Sequence, residues 1–580
     1  MASNQRTIEQ RPVTAEPLLD DAKIDPLLQR IFASRGVTNP QQIQYKLAAL
    51  ENPNDLKGMD AATSLLEDAL RQQQRILIIG DYDADGATST AVVVLALRAL
   101  GAHFVDYLAP NRFEYGYGLT PGIVELASSR SPDLIITVDN GISSIDGVAA
   151  AKELGFRVLV TDHHLAGAQL PAADAIVNPN QPGCTFNSKA IAGVGVAYYL
   201  MIALRGKLRA SGWFEERAVE QPNLADLLDL VALGTVADVV QLDHNNRILV
   251  EQGLRRIRAG RARPGLLALV QLGNRDLRNL VSQDLGFTVG PRLNAAGRLD
   301  DISLGIECLL TDDVSLAMDM ACQLDQLNQD RKQIEQGIQQ EALKILDGMQ
   351  LESTDQLPLG VCLYDKDWHS GVIGIVASRV KDRVHRPVIT FGKVSDTEIK
   401  GSGRSVEAVH IRDLLERIAT QNPGLIQKYG GHAMAAGLSI KPDDYQKFAQ
   451  QFDKAVREVV DEQQLQPIIV SDGQLEGANM NLHTADLLRS AGPWGSGFPE
   501  PLFDGEFVLE NQKIVGERHL KFRAVEPRSG LTIEAIAFNV DLDCWPSTHN
   551  RARLAYKLDV NEFRGNRTAQ FVCDYLEPIA

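Results

Sequence analysis

The fold of this chain is decided by residues 76–86, which read ILIIGDYDADG. The apolar run Ile76–Ile79 has the length and composition of a buried strand. Three acids follow it at alternating positions, Asp81, Asp83 and Asp85, and a glycine then opens a helical pattern. Because alternating side chains share one side of an extended backbone, these acids can converge at one strand end. The stretch therefore predicts a strand, an acidic turn and a helix.

The same alternation of strand and helix continues beyond this stretch. Further apolar runs lie at Leu134–Val138, Val158–Val160 and Ala175–Val177, with helix candidates at 86–100, 121–130 and 144–155. Buried apolar strands that alternate with helices are typical of a doubly wound parallel sheet. We therefore predict an α/β fold for this half of the chain.

Acids and histidines follow two more of these strands. Leu134–Val138 runs into Asp139–Gly141, and Val158–Val160 runs into Thr161–His164, which reads TDHH. Asp238 follows another apolar stretch further along. Ligands of open parallel sheets bind beyond the carboxyl ends of the strands, so these side chains are expected to meet in one crevice.

Such a cluster predicts a metal site. Carboxylates that are ionised together repel one another unless a cation offsets the charge. Mixed oxygen and imidazole donors suit Mn²⁺, Zn²⁺ or Fe²⁺, and Mg²⁺ less well. The six cysteines form no C-x-x-C pair, which argues against structural zinc. The donors are too many for one tetrahedral ion, whereas two ions ~3.5–4 Å apart, as in phosphoryl-transfer sites, fit the count.

The rest of the chain indicates further domains. Residues 205–310 have mostly helical patterns, Val314–Leu346 has the apolar spacing of one long helix, and 359–391 suggests a second α/β unit. Short alternating strands after about 462 suggest a small β-barrel. We predict an N-terminal helical segment (1–70), a catalytic domain (71–310), a connecting helix (311–350), a second lobe (351–462) and a barrel domain (463–580).

Glycine and arginine recur together in segments that we interpret as phosphate-binding loops. They are Pro110–Gly118, Gly290–Arg298, Gly401–Ser405 and Gly430–His432. Glycine lets backbone amides approach a phosphate, and arginine offers paired donors. Each segment alone is more typical of a plain turn, so the prediction depends on their occurring together with the metal cluster.

Charge and hydropathy restrict the function further. The net charge of −17 argues against a protein that coats duplex DNA, and a nucleic-acid enzyme of this composition needs a local basic groove. The longest apolar run, Ala190–Leu204, is shorter than the ~18 residues of a membrane span, so we expect a buried helix and no membrane association. The scattered cysteines are typical of a reducing cytoplasm.

These motifs together resemble those of the DHH phosphoesterases. The resemblance is carried by Asp81–Gly86, Asp139–Gly141, Asp162–His164, Gly234–Asp238, Gly401–Ser405 and Gly430–His432. Segments Gly290–Arg298, Trp368–Gly374, Gly492–Phe503 and Asn561–Arg567 are similar to the branch of that family that degrades single-stranded DNA. The likeness runs from about residue 30 to the end.

The resemblance implies a fold and an activity. The fold is a DHH lobe with a doubly wound parallel sheet, a long connecting helix, a smaller α/β lobe and a C-terminal OB-type barrel. The activity is a metal-dependent exodeoxyribonuclease that releases 5′-mononucleotides from single-stranded DNA in the 5′→3′ direction, in DNA repair and recombination. It also implies two Mn²⁺ or Mg²⁺ ions, a monomer, and a single-strand DNA-binding protein and a RecQ-type helicase as partners.

It further implies a role for individual residues. Asp83 and Asp139 would hold one ion, with Asp81 in or near its shell. The second ion would be held by Asp85, Asp139, His163 and Asp238. His164 would contact the scissile phosphate, and Asp162 would support the histidines. The pocket for the 5′ phosphate would contain Arg112, Arg298, Ser402 and Arg404, with His432 facing the phosphate.

Three alternatives remain open at this level. One is a DHH phosphoesterase for short oligonucleotides or pyrophosphate, which the added barrel domain argues against. Another is a non-catalytic DNA-binding scaffold, which the complete set of candidate ligands argues against. In the third the acids only cap helices and bind no metal.

Overall fold

The structure is a computed structural model that describes residues 6–13, 24–110, 114–352, 358–462, 464–542, 545–546, 550–563 and 565–579. The chain forms two compact units. One comprises 8–326 and 470–580, and the other 327–469 with the first residues of the chain. Among the described residues, no helix is both long and apolar enough to cross a membrane.

Helices occur in both units of the chain. In chain order the helices of the whole molecule are α1 Pro26–Ala33, α2 Met59–Arg71, α3 Ala84–Ala99, α4 Pro121–Ser128, α5 Ile145–Glu153, α6 Gly193–Ala210, α7 Trp213–Arg217, α8 Leu228–Ala237, α9 His244–Arg258, α10 Pro264–Leu272, α11 Ser282–Asp284, α12 Gly290–Leu299, α13 Ser303–Leu310, α14 Val314–Glu352, α15 Ile373–Val384, α16 Ile411–Gln421, α17 Tyr445–Arg457 and α18 Leu482–Ser490. The long helix predicted from Val314 onward is confirmed as α14.

The strands are shorter and fall into separate sheets. They are β1 Thr7–Gln10, β2 Ile76–Gly80, β3 Val105–Leu108, β4 Leu134–Val138, β5 Arg157–Thr161, β6 Ala175–Val177, β7 Val361–Asp365, β8 Val388–Lys393, β9 Ile399–Arg404, β10 Lys428–Gly431, β11 Ala435–Ile440, β12 Ile468–Ser471, β13 Phe503–Val515, β14 His519–Val525, β15 Thr532–Ala537, β16 Arg551–Phe563 and β17 Asn566–Ile579.

The first unit contains the predicted parallel sheet, with strand order β3-β2-β4-β5-β6. The strands β2 and β4 are buried at every position, which explains their unbroken apolar sequence. Strand β3 was not predicted, because its four residues, VDYL, include an exposed aspartate and are too short for a clear pattern. Since all these strands run parallel, their carboxyl ends lie at one edge of the sheet.

The first helix after the acidic turn begins earlier than predicted. Asp83 Oδ1 accepts hydrogen bonds from the backbone amides of Asp85 (2.9 Å) and Gly86 (3.0 Å), so Asp83 is the N-cap and α3 begins at Ala84. An aspartate at this position satisfies amides that lack partners in the first turn. The acidic turn is thereby fixed to the start of the helix.

The other sheets confirm the predicted second α/β unit and the predicted C-terminal barrel. In the second unit β7 pairs parallel with β8, and the sheet continues antiparallel in the order β10-β11-β9-β8-β7. The C-terminal strands β13-β14-β15-β17-β16 form a closed barrel. Pairing of β13 with β16 completes the closure, so every one of these strands has two neighbours.

Two of the predicted phosphate loops are instead regular elements, and a third, Gly430–His432, lies partly in one, because Gly430 and Gly431 are the last residues of β10. Gly290–Arg298 lies in α12, where an added Cβ on Gly297 would lie 1.7 Å from Tyr82 O. Gly401–Ser405 lies largely in β9, where Cβ atoms on Gly401 and Gly403 would meet the rings and side chains packed over the strand. These glycines allow close packing and do not mark loops, and the sequence pattern cannot distinguish the two uses.

Candidate metal centre

The predicted acids and histidines converge at the carboxyl edge of the parallel sheet. Asp81–Asp85 follows β2, Asp139 follows β4 and His163 follows β5, while Asp238 follows helix α8. His163 Nε2 lies 3.1 Å from Asp139 Oδ1, 3.5 Å from Asp238 Oδ2 and 4.0 Å from Asp85 Oδ2. Residues that are 153 positions apart in the sequence therefore meet at one imidazole.

These side chains form three overlapping groups with the composition of metal sites. In each group the candidate ligand atoms all lie within 4.8 Å of one another. The groups are Asp81, Asp83 and Asp139; Asp85, His163 and Asp238; and Asp139, His163 and His164. Asp139 belongs to two groups, which is the arrangement expected of a carboxylate between two ions.

The backbone around Asp139 is shaped to present its carboxylate. Asp139 has a left-handed conformation, with a φ of 61°. Its side chain packs against the start of α6, where a Cβ on Gly193 would lie 2.6 Å from Asp139 Oδ1. That oxygen is buried and accepts no hydrogen bond from the described residues. A buried carboxylate oxygen without a donor is costly, so the site fits a cation better than it fits the metal-free protein.

Asp85 is held by a helix terminus that the sequence analysis did not identify. The backbone amides of Gly193 and Val194, at the start of α6, donate to Asp85 Oδ2 (2.7 Å) and Oδ1 (2.9 Å). Gly234 leaves room for the same carboxylate, because a Cβ there would lie 2.9 Å from Asp85 Oδ1. Gly193 lies within the apolar run that predicted only a buried helix, so nothing in its sequence context indicated contact with the cluster.

The cluster concentrates negative charge in a buried space. Burial, followed by the nearby charge of Asp83, raises the pKa of Asp85 to about 7. Burial and the neighbouring acids, Asp85 first, raise the pKa of Asp139 and of Asp238 well above the ordinary value. The protein without a cation therefore resists full ionisation of these groups, and divalent ions would relieve that cost.

Asp162 lies outside the three groups and organises the turn that carries both histidines. Its carboxylate accepts from the backbone amides of Ile142, His163 and His164 and contacts His164 Nδ1 at 2.7 Å. Burial opposes ionisation of Asp162, but the hydrogen bond and charge of His164, together with the backbone amides of Ile142 and His164, outweigh it and lower the pKa of Asp162. The same bond raises the pKa of His164 against the effect of burial. The Tyr117 hydroxyl also contacts this imidazole.

Helix α12 carries Arg298, a candidate for the phosphate pocket, and packs beside the acidic turn. Asn294 Oδ1 accepts from the backbone amide of Ala84 at 2.7 Å, and Gly297 packs against Tyr82 O. Arg298 is the next residue of this helix and is partly buried. Arg112, the other arginine predicted for the phosphate pocket in this unit, lies outside the described residues.

The remaining candidates belong to the second unit. Ser402 and Arg404 lie two positions apart on β9, and Arg404 Nη1 donates to Ser402 Oγ (3.2 Å) and Gly403 O (2.8 Å). Burial lowers the pKa of Arg404, and no carboxylate lies within 4.0 Å of its guanidinium among the residues described. His432 is exposed in the turn between β10 and β11. A buried arginine without an acidic partner fits a site that takes an anion from outside.

Family models match three regions of the chain. They are the DHH family N-terminal domain over residues 75–235, the DHHA1 domain over 358–458 and the RecJ OB domain over 471–575. The fold and the clustered acids and histidines thus define a DHH phosphoesterase.

Full-length relatives identify the branch of that class. The single-stranded-DNA-specific exonuclease RecJ of Escherichia coli is 55% identical over 559 residues, covering 96% of this chain and 97% of the relative. The crystal structure of RecJ in complex with Mn²⁺ from Thermus thermophilus is 30% identical, with a TM-score of 0.79, and covers 99% of this chain and 80% of that one. The Mg²⁺ complex from the same organism has a TM-score of 0.75 and 27% identity, covering 99% and 78%. This chain belongs to the RecJ family.

Proposed function

We propose that this protein is a single-stranded-DNA-specific exonuclease that hydrolyses phosphodiester bonds with two Mn²⁺ or Mg²⁺ ions. The observation that carries the proposal is the convergence of five acids and two histidines, from four places in the sequence, into overlapping groups whose ligand atoms are close enough to hold metal ions. The identity to RecJ relatives over nearly the whole chain supports the substrate. We further propose that it releases 5′-mononucleotides in the 5′→3′ direction, in DNA repair and recombination.

The residues of the metal cluster have separate roles in binding the two ions and the scissile phosphate. Asp83 and Asp139 would hold one ion, with Asp81 in or near its shell, and Asp85, Asp139, His163 and Asp238 would hold the other. The groups Asp81, Asp83 and Asp139 and Asp85, His163 and Asp238 support this division. When bound, such a pair of ions activates water and stabilises the departing oxygen in phosphoryl transfer. Asp162 orients His164 and keeps it protonated to higher pH, which suits contact with the negatively charged scissile phosphate.

The arginines of the predicted phosphate pocket would hold the 5′ end of the DNA in place. We assign Arg112, Arg298, Ser402, Arg404 and His432 to recognition of the 5′ phosphate. The buried Arg404 guanidinium, with Ser402 beside it and no acid nearby, supports the assignment. Holding the terminal phosphate at a constant place would make each cycle remove one nucleotide.

The proposal also includes the domain boundaries of the protein, its binding partners and its location in the cell. We propose that 71–310, 351–462 and 463–580 are the catalytic, DHH-associated and DNA-binding domains, joined by a helix at 311–350 and preceded by a helical segment at 1–70. The three matched family domains support this division. We also propose that the protein acts as a cytoplasmic monomer with a single-strand DNA-binding protein and a RecQ-type helicase.

The test compares a 5′-phosphorylated single strand with its duplex, in Mn²⁺ and after chelation. We expect mononucleotides only from the single strand and only with metal. Asp139→Ala should reduce the rate by ~1000-fold or more, since it removes a ligand shared by both ions. Asp68→Ala, an exposed acid on α2, is the matched control. Near-normal activity of Asp139→Ala would disprove the shared-ligand role, and chelator-resistant release would disprove metal dependence.

A further inference from the structure

Phe287 is the most exposed large hydrophobic side chain among the described residues, at 82%. It does not lie in a loose loop. It lies in a π-helical turn, Leu285–Val289, that continues directly into α12. Leu285 and Val289, on either side of it, are fully buried. The backbone beneath the ring is therefore fixed, while the ring itself faces outward.

The π turn is built against the segment that ends in a candidate metal ligand. A Cβ on Gly286 would lie 3.2 Å from Val236 Cγ1, and one on Gly290 would lie 3.2 Å from Ala237 Cβ. Asp238 follows immediately on that segment. Single π turns interrupt α-helices frequently at functional sites, because the extra residue redirects the side chains around it. This turn directs an aromatic ring to the surface.

The helix that follows connects the ring to the metal centre. From Phe287 to Arg298 the chain rises by about 16 Å along one continuous helical segment. Asn294 on the same helix accepts from the backbone amide of Ala84 in the acidic turn. The ring thus lies a few nucleotides' length from the place where the strand would be cut.

Phe287 lines one cavity, and a second cavity adjoins that one without reaching the ring. The first, of about 550 Å³, is lined by Phe287 and by Asn274, Gln283 and Arg489, and its charged side chains are of both signs. The second, of about 430 Å³, shares Arg489 and is mainly basic. It adds Arg258, Arg278 and His483, and its one acid, Asp486, is paired with Arg567. Arg258 lies 3.5 Å from Glu251 and Arg278 lies 3.4 Å from Asp276, so a phosphate would share these two guanidinium groups with an acid outside the cavity.

This charge distribution matches a single nucleic-acid strand. In a protein of net charge −17, a polyanion needs a local concentration of cations, and the second cavity provides one. The first cavity is unsuited to phosphates because its charged side chains are of both signs. Its amide side chains, Asn274 and Gln283, and the ring of Phe287 can contact bases instead. A basic groove beside an exposed aromatic ring is the usual arrangement for single strands.

We propose that Phe287 stacks on a base of single-stranded DNA downstream of the metal centre, and that Arg258, Arg278 and Arg489 hold the phosphates beyond it. This rests on the proposed function for its substrate. It also gives a reason for strand selectivity, because the faces of bases in a duplex are covered by their neighbours and are not open to the ring.

The test uses the full chain and a fluorescent dT20 strand, with chelator present so that nothing is cut. Phe287→Ala should weaken binding by roughly 5- to 100-fold, the usual contribution of one stacked base. Phe287→Trp should restore it. Phe104→Ala is the matched control, since Phe104 is also exposed (53%) but precedes β3 at the opposite edge of the sheet. Unchanged binding by Phe287→Ala would overturn the stacking role, and equal weakening by Phe104→Ala would overturn its specificity.

A second pair of variants tests the phosphate groove. Arg278 is 85% exposed, so Arg278→Gln leaves the fold intact. It should lower the slope of log affinity against log salt by about 0.7, the value for one phosphate contact on a single strand. Lys152→Gln, at the end of α5, should not change the slope. An unchanged slope for Arg278→Gln would mean that the strand takes another path.

Hydrolysis of a phosphorylated dinucleotide separates this inference from the proposed function. The dinucleotide is too short to reach Phe287, so Phe287→Ala should cleave it at the wild-type rate. If the wild-type protein binds dT20 through Phe287 but cuts neither dT20 nor the dinucleotide, the proposed nuclease activity is wrong and the stacking site stands. A large loss of dinucleotide cleavage in Phe287→Ala would instead show damage to the metal centre and overturn the proposal.

Discussion

The acidic cluster of the first unit and the Ser402–Arg404 pair of the second are opposite electrostatic cases. In the first, acids are buried together and their pKa values rise. In the second, one guanidinium is buried without an acid beside it, and its pKa falls. Each region would be more stable if it were less charged. The contrast in charge indicates the ligand that suits each region, a cation for the first and an anion for the second.

The strongest test of the acidic region is Asp238→Asn. We expect the nuclease rate to fall by ~1000-fold or more, because a ligand of one ion is lost. The metal-free variant should nevertheless be more stable than the wild type, since the substitution removes, at nearly constant volume, an acid whose ionisation the fold opposes. Activity and thermal unfolding with and without chelator would measure both. A metal-free variant less stable than the wild type would contradict the electrostatic account.

The basic region is tested by Arg404→Met, which keeps the length of the side chain and removes its charge. We expect KM for a 5′-phosphorylated strand to rise by about 100-fold, as for loss of a paired arginine–phosphate contact, with a much smaller change for a 5′-hydroxyl strand. Arg386→Met is the matched control, because Arg386 pairs with Glu462. The control should lose stability and keep its KM. Equal effects of Arg404→Met on both strands would contradict a terminal-phosphate pocket.

The smallest expected effect is the pH dependence of the metal-free protein. The pKa of Asp85 is about 7 in the fold and near 3.8 when unfolded, so the folded state binds the proton more tightly. Stability is therefore highest below the unfolded value and falls as pH rises through 7. Lowering the pH from 8 to 6 should stabilise the metal-free protein by about 1 kcal/mol.

Bound Mn²⁺ should oppose this fall in stability with rising pH, because the ligands of the ion must be deprotonated. The stabilisation that Mn²⁺ gives in thermal unfolding should be larger at pH 8 than at pH 6. Asp68→Asn, which removes an exposed acid, should leave both profiles unchanged. A metal-free protein that is more stable at pH 8 than at pH 6 would show that burial of the acids is not a cost.

Much of the fold follows from local sequence alone. The strands β2, β4, β5 and β6 are rich in apolar residues because most of their positions are buried. The acids that follow β2, β4 and β5 need only the parallel order of the strands to meet. The resemblance of the motifs then supplied the assignment of each acid. Hence Asp81, Asp83, Asp85, Asp139, His163 and Asp238 could be grouped before the fold was known.

Other features depend on contacts between distant segments, which no local pattern contains. Glycines 297 and 401 suggested loops, yet they allow a helix and a strand to pack closely. Gly193 suggested only a buried helix, yet its amide holds Asp85. The exposure of Phe287 was not predictable, because its neighbours in sequence are buried. Local sequence specifies which chemical groups are present and their order along the strands. The distances between these groups, their burial and hence their charge follow from tertiary packing, since they depend on residues brought together across the fold.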